Sequence, residues 1–287
     1  MAPLPYELTL PAERLTSVVF SSPHSGRDYP HGFLRTSILD QRTIRSSEDA
    51  FVDDLLDSVA GLGAPLLAAR TPRAYVDLNR GPDELDPAVI EGLRPAGYNP
   101  RVSSGLGVIP RVVAGGKPIY RGKLTPDEVM RRIDDCWTPY HECLKGLIAE
   151  SCRLFGQAIL IDMHSMPHEA VESIAAAGAR RPEIVLGDRF GAAASGDVVD
   201  RIEAAFAARG FHTLRNAPFA GAYIAQTYGR PGAGTHVVQI EIDRALYMNE
   251  REVRPNGNYK GFKATLAGIL AEIAEIGRAR PMLAAAE

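Results

Sequence analysis

Gln157-Ala-Ile-Leu-Ile-Asp-Met-His164-Ser-Met-Pro167 is the stretch from which the fold can be read. Ala158 to Ile161 is an unbroken apolar run, the pattern of a strand buried on both faces in a largely parallel sheet. The run meets Asp162 and His164, and Pro167 ends any further strand pairing because it has no amide hydrogen to donate. Open α/β sheets bind ligands at the carboxyl ends of such strands. Alternation places Asp162 and His164 on one side of the strand, so the carboxylate can orient the imidazole. His164 reads as a metal ligand on this placement.

Working outward, Ser17-Val-Val-Phe-Ser21 is a second buried strand running into Ser22-Pro-His24-Ser-Gly26. Ser46 or Ser47 reads as the N-cap of a helix with Glu48 and Asp49 in its first turn. Val52, Leu55, Leu56 and Val59 give that helix one apolar face as far as Leu62. Pro65 to Ala68 and Ala74 to Leu78 read as strands, the second ending in Asn79-Arg80. From Gly81 to Ser104 the periodicity is lost, and a loop of that length in a compact domain is functional or mobile. Thr125-Pro-Asp-Glu128 is a capping box opening a long helix that Pro139 should kink. Strands over 183–187, 211–214 and 235–242 and helices over 196–209 and 259–276 complete the pattern. Alternating strands and helices predict an α/β fold: a single domain spanning 1–287, core about 15–280, with a mixed, mostly parallel sheet covered by helices on both faces.

The bulk composition excludes several classes. A net charge of −3 offers no electrostatic footprint for nucleic acid, and no apolar run approaches a membrane span. The first residues lack the cationic start and apolar core of a secretory signal. Cys136, Cys143 and Cys152 are odd in number and form no CxxC, which argues for reduced thiols. A cytoplasmic protein acting on a small molecule is the expectation, and nothing in the sequence specifies an oligomeric state.

The chemistry-bearing residues share one setting, at or just after a strand or at the start of the following helix. These are His24, Glu48 and Asp49, His164, and Glu241 within Val-Val-Gln-Ile-Glu-Ile. Two imidazoles and a carboxylate with an open fourth position match catalytic zinc, and a separate carboxylate can then act as general base. Each has a plainer reading: His24 as a hydrogen-bonded strand-end residue, Glu48 and Asp49 as acids complementing a helix dipole. Glu241 resists one, because a carboxylate flanked by apolar residues is costly unless paired or functional. Asn79-Arg80 offers a fork of donors for a carboxylate, or a structural arginine pairing with Asp77. Tyr120, Arg121, Tyr223, Tyr228 and Arg230 are further polar candidates in loops. His31, His141, His168 and His212 read as surface or structural.

Taken together, these residues resemble the N-formylglutamate amidohydrolase family. The resemblance is carried by Ser22-Pro-His24-Ser-Gly26, Glu48-Asp49-Ala-Phe-Val-Asp53, Arg73-Ala-Tyr-Val-Asp-Leu-Asn-Arg80, Asp162-Met-His164-Ser165 and Gly187-Asp188-Arg189. Asn216-Ala-Pro-Phe-Ala-Gly-Ala-Tyr223, Tyr228-Gly-Arg-Pro231 and Gln239-Ile-Glu-Ile-Asp-Arg244 complete it. That family is in turn similar to zinc carboxypeptidases, with a phosphorylase/hydrolase-like α/β fold. The resemblance implies Zn²⁺, or another divalent transition metal, at His24 and His164, with Glu241 as base and Asn79 and Arg80 gripping a substrate carboxylate. Tyr223, Arg230 and Arg244 are implied as further substrate contacts, with Arg121 and Lys117 as other cations for a second carboxylate. The carboxypeptidase pattern begins His-x-x-Glu, whereas Arg27 stands three residues after His24, so Asp49, with Glu48 in reserve, is expected as the third ligand. The implied reaction is hydrolysis of N-formyl-L-glutamate in histidine catabolism. A broader N-acyl amino acid amidohydrolase or carboxypeptidase-like enzyme, and a non-catalytic binder of acidic amino acids, are the alternatives.

Overall fold

In a computed structural model describing residues 4–94, 97–172 and 180–278, the apolar runs of the sequence converge in one seven-stranded sheet. Its strands are β1 (Tyr6–Thr9), β2 (Val18–Ser22), β3 (Leu66–Ala69), β4 (Ala158–Met166), β5 (Ile184–Gly187), β6 (Thr213–Arg215) and β7 (Thr235–Asp243). They lie in the order β1-β3-β2-β4-β7-β5-β6. The four central strands β3, β2, β4 and β7 are parallel; β1 runs antiparallel at one edge, and β5 and β6 run against β7 at the other. From β2 the chain passes to β3 on one side and then to β4 on the other. The order therefore reverses between β2 and β4, where an α/β sheet opens a crevice at its carboxyl edge.

All nine residues of β4 are buried, as the unbroken apolar run requires. Ile159, Ile161 and Met163 face one layer, with Val238, Ile240 and Ile242 beside them on β7. Ala158 and Leu160 face the other, with Val237. Each such aliphatic side chain contributes at most about 1.5–3 kcal/mol on burial. Helices cover both faces, as the sequence predicts. Against the second layer lie α1 (Pro126–Arg132), α2 (Thr138–Phe155) and the short α4 (Tyr223–Tyr228); against the first lie α3 (Gly196–Ala207) and α5 (Tyr259–Ile276). The Thr125 hydroxyl caps α1 by accepting from the Glu128 amide, with Pro126 in the first turn. A turn of π-helix, Ile133–Trp137, joins α1 to α2 just ahead of Pro139 and accommodates the amide hydrogen that proline lacks.

Two expected elements differ. No helix runs from Glu48 to Leu62. A 3₁₀ turn at Thr43–Ser47 ends at Glu48, the Asp49 amide donates to the His24 carbonyl (3.0 Å), and Phe51 takes a left-handed φ of 68° before the single turn Val52–Leu55. The apolar periodicity there is real, for Val52, Leu55, Leu56 and Val59 are fully buried, but the backbone is diverted toward His24. Likewise Ala74 to Leu78 is not a strand. Val76 and Leu78 are buried as alternation demands, yet among the described residues no neighbouring strand pairs with them. The Asp77 amide donates to Val108, and the carbonyls of Tyr75, Leu78 and Arg80 accept from the side chains of Arg132, His141 and Trp137.

Candidate active site

At the β2/β4 crevice, Ser22-Pro-His24-Ser-Gly26 folds back on itself. Ser22 and Ser25 share a hydrogen bond, and Gly26 lies so close to Thr71 that a Cβ there would come within 2.1 Å of its carbonyl oxygen. Only glycine fits, and the turn aims His24 across the crevice at His164. The two rings are 4.7 Å apart at 65°.

Each imidazole is held from behind by a buried carboxylate. His24 Nε2–H donates to Asp77 Oδ1 at 2.7 Å, and His164 Nε2–H donates to Asp162 Oδ2 at 3.0 Å. Asp162 is itself fixed by the hydroxyl of Ser21, its register partner on β2. With both Nε2 atoms donating, each ring in its neutral form carries its lone pair on Nδ1, and both Nδ1 atoms turn toward Asp49 Oδ2, at 3.5 Å from His24 and 3.0 Å from His164. Asp49 Oδ1 is taken by Arg244 Nη2 at 3.0 Å, which leaves Oδ2 for the centre.

His24 Nδ1 is buried without a hydrogen-bond partner among the described residues. Three potential ligand atoms of His24, Asp49 and His164 lie within 4.8 Å of one another. Lone pairs facing a carboxylate repel unless a positive charge sits between them. Burial opposes charging His164, but Asp162, Asp49 and Glu241 around it favour positive charge there strongly. Burial would likewise raise the Asp49 carboxyl, yet the favourable interaction with positive charge at His164 and His24 holds it well below the usual carboxylate range. An all-N/O donor set of two imidazoles and a carboxylate, backed by carboxylates, fits zinc or a similar divalent ion. Glu48 does not compete: its carboxylate is taken up by Arg45 in a bidentate pair and by the Tyr29 hydroxyl.

Glu241 lies on β7 directly beside His164 in the parallel register. Burial pushes its carboxyl up to about 7, with Asp49 adding to the rise and His164 and Arg73 opposing it. Gln239 Nε2 donates to Glu241 Oε1 at 2.8 Å, and Gln239 Oε1 accepts from the Ala222 amide. A buried carboxylate that exchanges its proton near neutrality is suited to general acid–base work.

These groups open into a cleft of about 540 Å³ that also exposes Arg73, Arg80, Arg101 and Arg244. Arg80 is anchored by Nε to the Leu106 carbonyl and by Nη1 to the Asn79 carbonyl, both at 2.9 Å, so Nη2 is left for the cleft. Asn79 lines the cleft but spends its amide internally. Its nitrogen donates to Asp162 and Gln239 alongside His164 Nε2, and its oxygen accepts from the Ile224 amide. Arg244 is likewise committed, to Asp49, Ser165 and the Ser46 carbonyl.

Four of the residues named from sequence as substrate contacts or cations lie elsewhere. The Tyr223 ring packs against Trp137 and His141 in the second layer rather than lining the cleft. Arg230 is exposed and bridged to Thr235, at the far end of β7 and ~20 Å from Glu241 at a strand's rise per residue. Arg121 and Lys117 are exposed and outside the cleft. Conversely, reading the sequence singled out neither Arg73, Arg101 nor Gln239. Arg73 lies in the quoted Arg73–Arg80 stretch, and Gln239 alternates with Glu241 on one face, which was the signal available. Arg101 sits in an aperiodic loop and gave none.

A profile of the N-formylglutamate amidohydrolase family matches residues 16–248. An N-formylglutamate deformylase of Pseudomonas aeruginosa is 30% identical over 238 residues, covering 82% of this chain and 83% of the relative. A Pseudomonas putida protein of the same name is 28% identical with the same coverage. The crystal structure of an N-formylglutamate amidohydrolase from Ralstonia eutropha JMP134 matches with a TM-score of 0.89 and 35% identity, over 96% of this chain and 99% of that one. A gene product of Agrobacterium tumefaciens, at 16% identity and a TM-score of 0.66, shares the fold.

Proposed function

Since the chain belongs to the N-formylglutamate amidohydrolase family, we propose that it hydrolyses N-formyl-L-glutamate to formate and L-glutamate, a step of histidine degradation as the family resemblance implies, and that it does so with Zn²⁺ held by His24, Asp49 and His164. One observation carries the reading: two Nδ1 lone pairs converge on one carboxylate oxygen, with Glu241 on the adjacent strand.

A divalent ion held by His24, Asp49 and His164 would supply Lewis acidity toward water and the formyl carbonyl. Glu241 accepts the proton of the attacking water and returns it to the departing amine, the two halves of one acid–base cycle. Gln239 keeps the carboxylate aimed during both transfers. Arg73 bonds Asp77 through Nη2 (2.9 Å) and directs its remaining charge into the cleft, where negative charge grows on the carbonyl oxygen. Arg80 Nη2 receives one of the substrate's two carboxylates. Asp77 and Asp162 hold both imidazoles in the tautomer that presents Nδ1.

Metal analysis of the purified protein, with formate release measured on N-formyl and N-acetyl derivatives of glutamate, glutamine and norleucine, tests this. About one zinc per chain and preferential release from N-formylglutamate are expected. A metal-free protein with full activity would overturn the ligand set. Equal turnover of N-acetyl substrates would favour the broader amidohydrolase, and binding without turnover a non-catalytic binder.

A further inference from the structure

Resting on that proposed activity, we propose that Arg101, on the one-turn helix Pro100–Ser103, binds the second carboxylate of the substrate and is the residue that makes the site selective for an acidic side chain. A dianionic substrate entering a largely buried cleft needs two cationic partners. The cleft holds four arginines, and their existing contacts separate them. Arg244 is committed to Asp49, and Arg73 to Asp77. Arg80 has one nitrogen to offer. Arg101 is half-buried, and among the described residues its guanidinium has no hydrogen-bond or ion-pair partner.

The position of Arg101 is built rather than incidental. Asn99 Oδ1 accepts from the Arg101 and Val102 amides, and Asn99 Nδ2 donates to Glu84. Arg111 Nε pairs with Asp86 and its Nη2 donates to the Ser103 carbonyl, bracing the far side of the turn. The peptide of Leu106 links the two arginines. Its amide donates to the Arg101 carbonyl at 2.8 Å, and its carbonyl accepts from Arg80 Nε at 2.9 Å. Two guanidinium-bearing segments are thus fixed to one residue beside a common cleft, where like charges repel until an anion enters. Burial pushes Arg80 below an ordinary arginine; Asp77 counters this, and the neighbouring charges of Arg73 and Arg101 add to it. A dicarboxylate relieves that repulsion, and a neutral side chain does not. The unpatterned loop of the sequence therefore brings an uncommitted cation to a cleft whose other arginines are partly or wholly committed.

The test compares kcat/KM for N-formyl-L-glutamate and N-formyl-L-glutamine in the zinc-loaded full chain, as wild type, Arg101→Gln and Arg101→Lys. In Arg101→Gln the preference for the glutamate substrate should fall at least 30-fold, through KM more than kcat, and Arg101→Lys should restore part of it. A turn that only supports the fold would lower both substrates together. Equal losses, or a preference left intact in Arg101→Gln, would overturn the assignment to Arg101. Wild-type protein releasing formate from neither substrate would instead overturn the underlying deformylase reading, so the two failures are distinguishable.

Discussion

His164 and Glu241 are direct partners in the register of β4 and β7, adjacent parallel strands at the centre of the sheet. Neighbouring strands lie about 4.8 Å apart, so the two side chains stand beside each other on one face with no loop between them to flex. The proposed metal-ligand position and the proposed acid–base carboxylate are thereby placed side by side by sheet geometry itself.

Glu241→Gln keeps the shape and the contact with Gln239 but removes the proton acceptor. Turnover should fall by ~10²–10⁴-fold, with zinc content unchanged by elemental analysis. Near-normal turnover would show that another group takes the proton.

With Glu241 as the proposed base, its raised carboxyl should set the acid limb of the rate profile. The base must be ionised, and burial holds its proton until about pH 7, so kcat/KM should rise through that region and fall below it. Gln239→Leu removes a donor that favours the ionised form, so the limb should move to higher pH. A limb near pH 4.5 in the wild type would contradict the assignment.

Asp77 anchors His24 through Nε2 and is not itself a candidate ligand. Asp77→Asn should weaken zinc binding about 10–100-fold, the usual effect of losing a carboxylate behind a ligating histidine. Chelator competition measures it directly, independent of turnover.

Arg80→Lys preserves charge and loses the fork. Lysine cannot bond the Leu106 and Asn79 carbonyls while also presenting a donor to the cleft. KM for N-formylglutamate should rise about tenfold or more with kcat changed less.

His141 is buried between the Leu78 carbonyl and the Tyr228 hydroxyl, and burial lowers its pKa to about 4. The unfolded chain takes up a proton at about 6.5 while the folded protein does not. The stability from the neutral ring is therefore fully present above pH 6.5 and is lost as pH falls toward 4, by about 3 kcal/mol at most. Urea midpoints measured from pH 7 to 4 should drop steeply for the wild type and less for His141→Gln.

Several errors of sequence reading share one cause. Val52, Leu55, Leu56 and Val59 announced a buried face, and Val76 and Leu78 an alternating one; both are buried as expected. Periodicity reports which side chains leave water, not where the backbone hydrogen bonds go. Those bonds went to His24, Val108, Arg132, His141 and Trp137, partners distant in sequence. Arg230 and Tyr223 lie outside the cleft for a related reason: a polar residue near a motif can lie at the opposite end of a strand or point into the other layer.

The sequence by itself determined the α/β architecture, the buried central strand with His164 at its end, and the anomalous Glu241, because apolar runs and a carboxylate among them constrain burial locally. Only the tertiary structure decided that Asp49 rather than Glu48 faces the imidazoles, that Asp77 stands behind His24, and that Arg101 reaches the cleft. Those choices depend on which atoms already have partners, and that is known only when segments far apart in the chain are brought together.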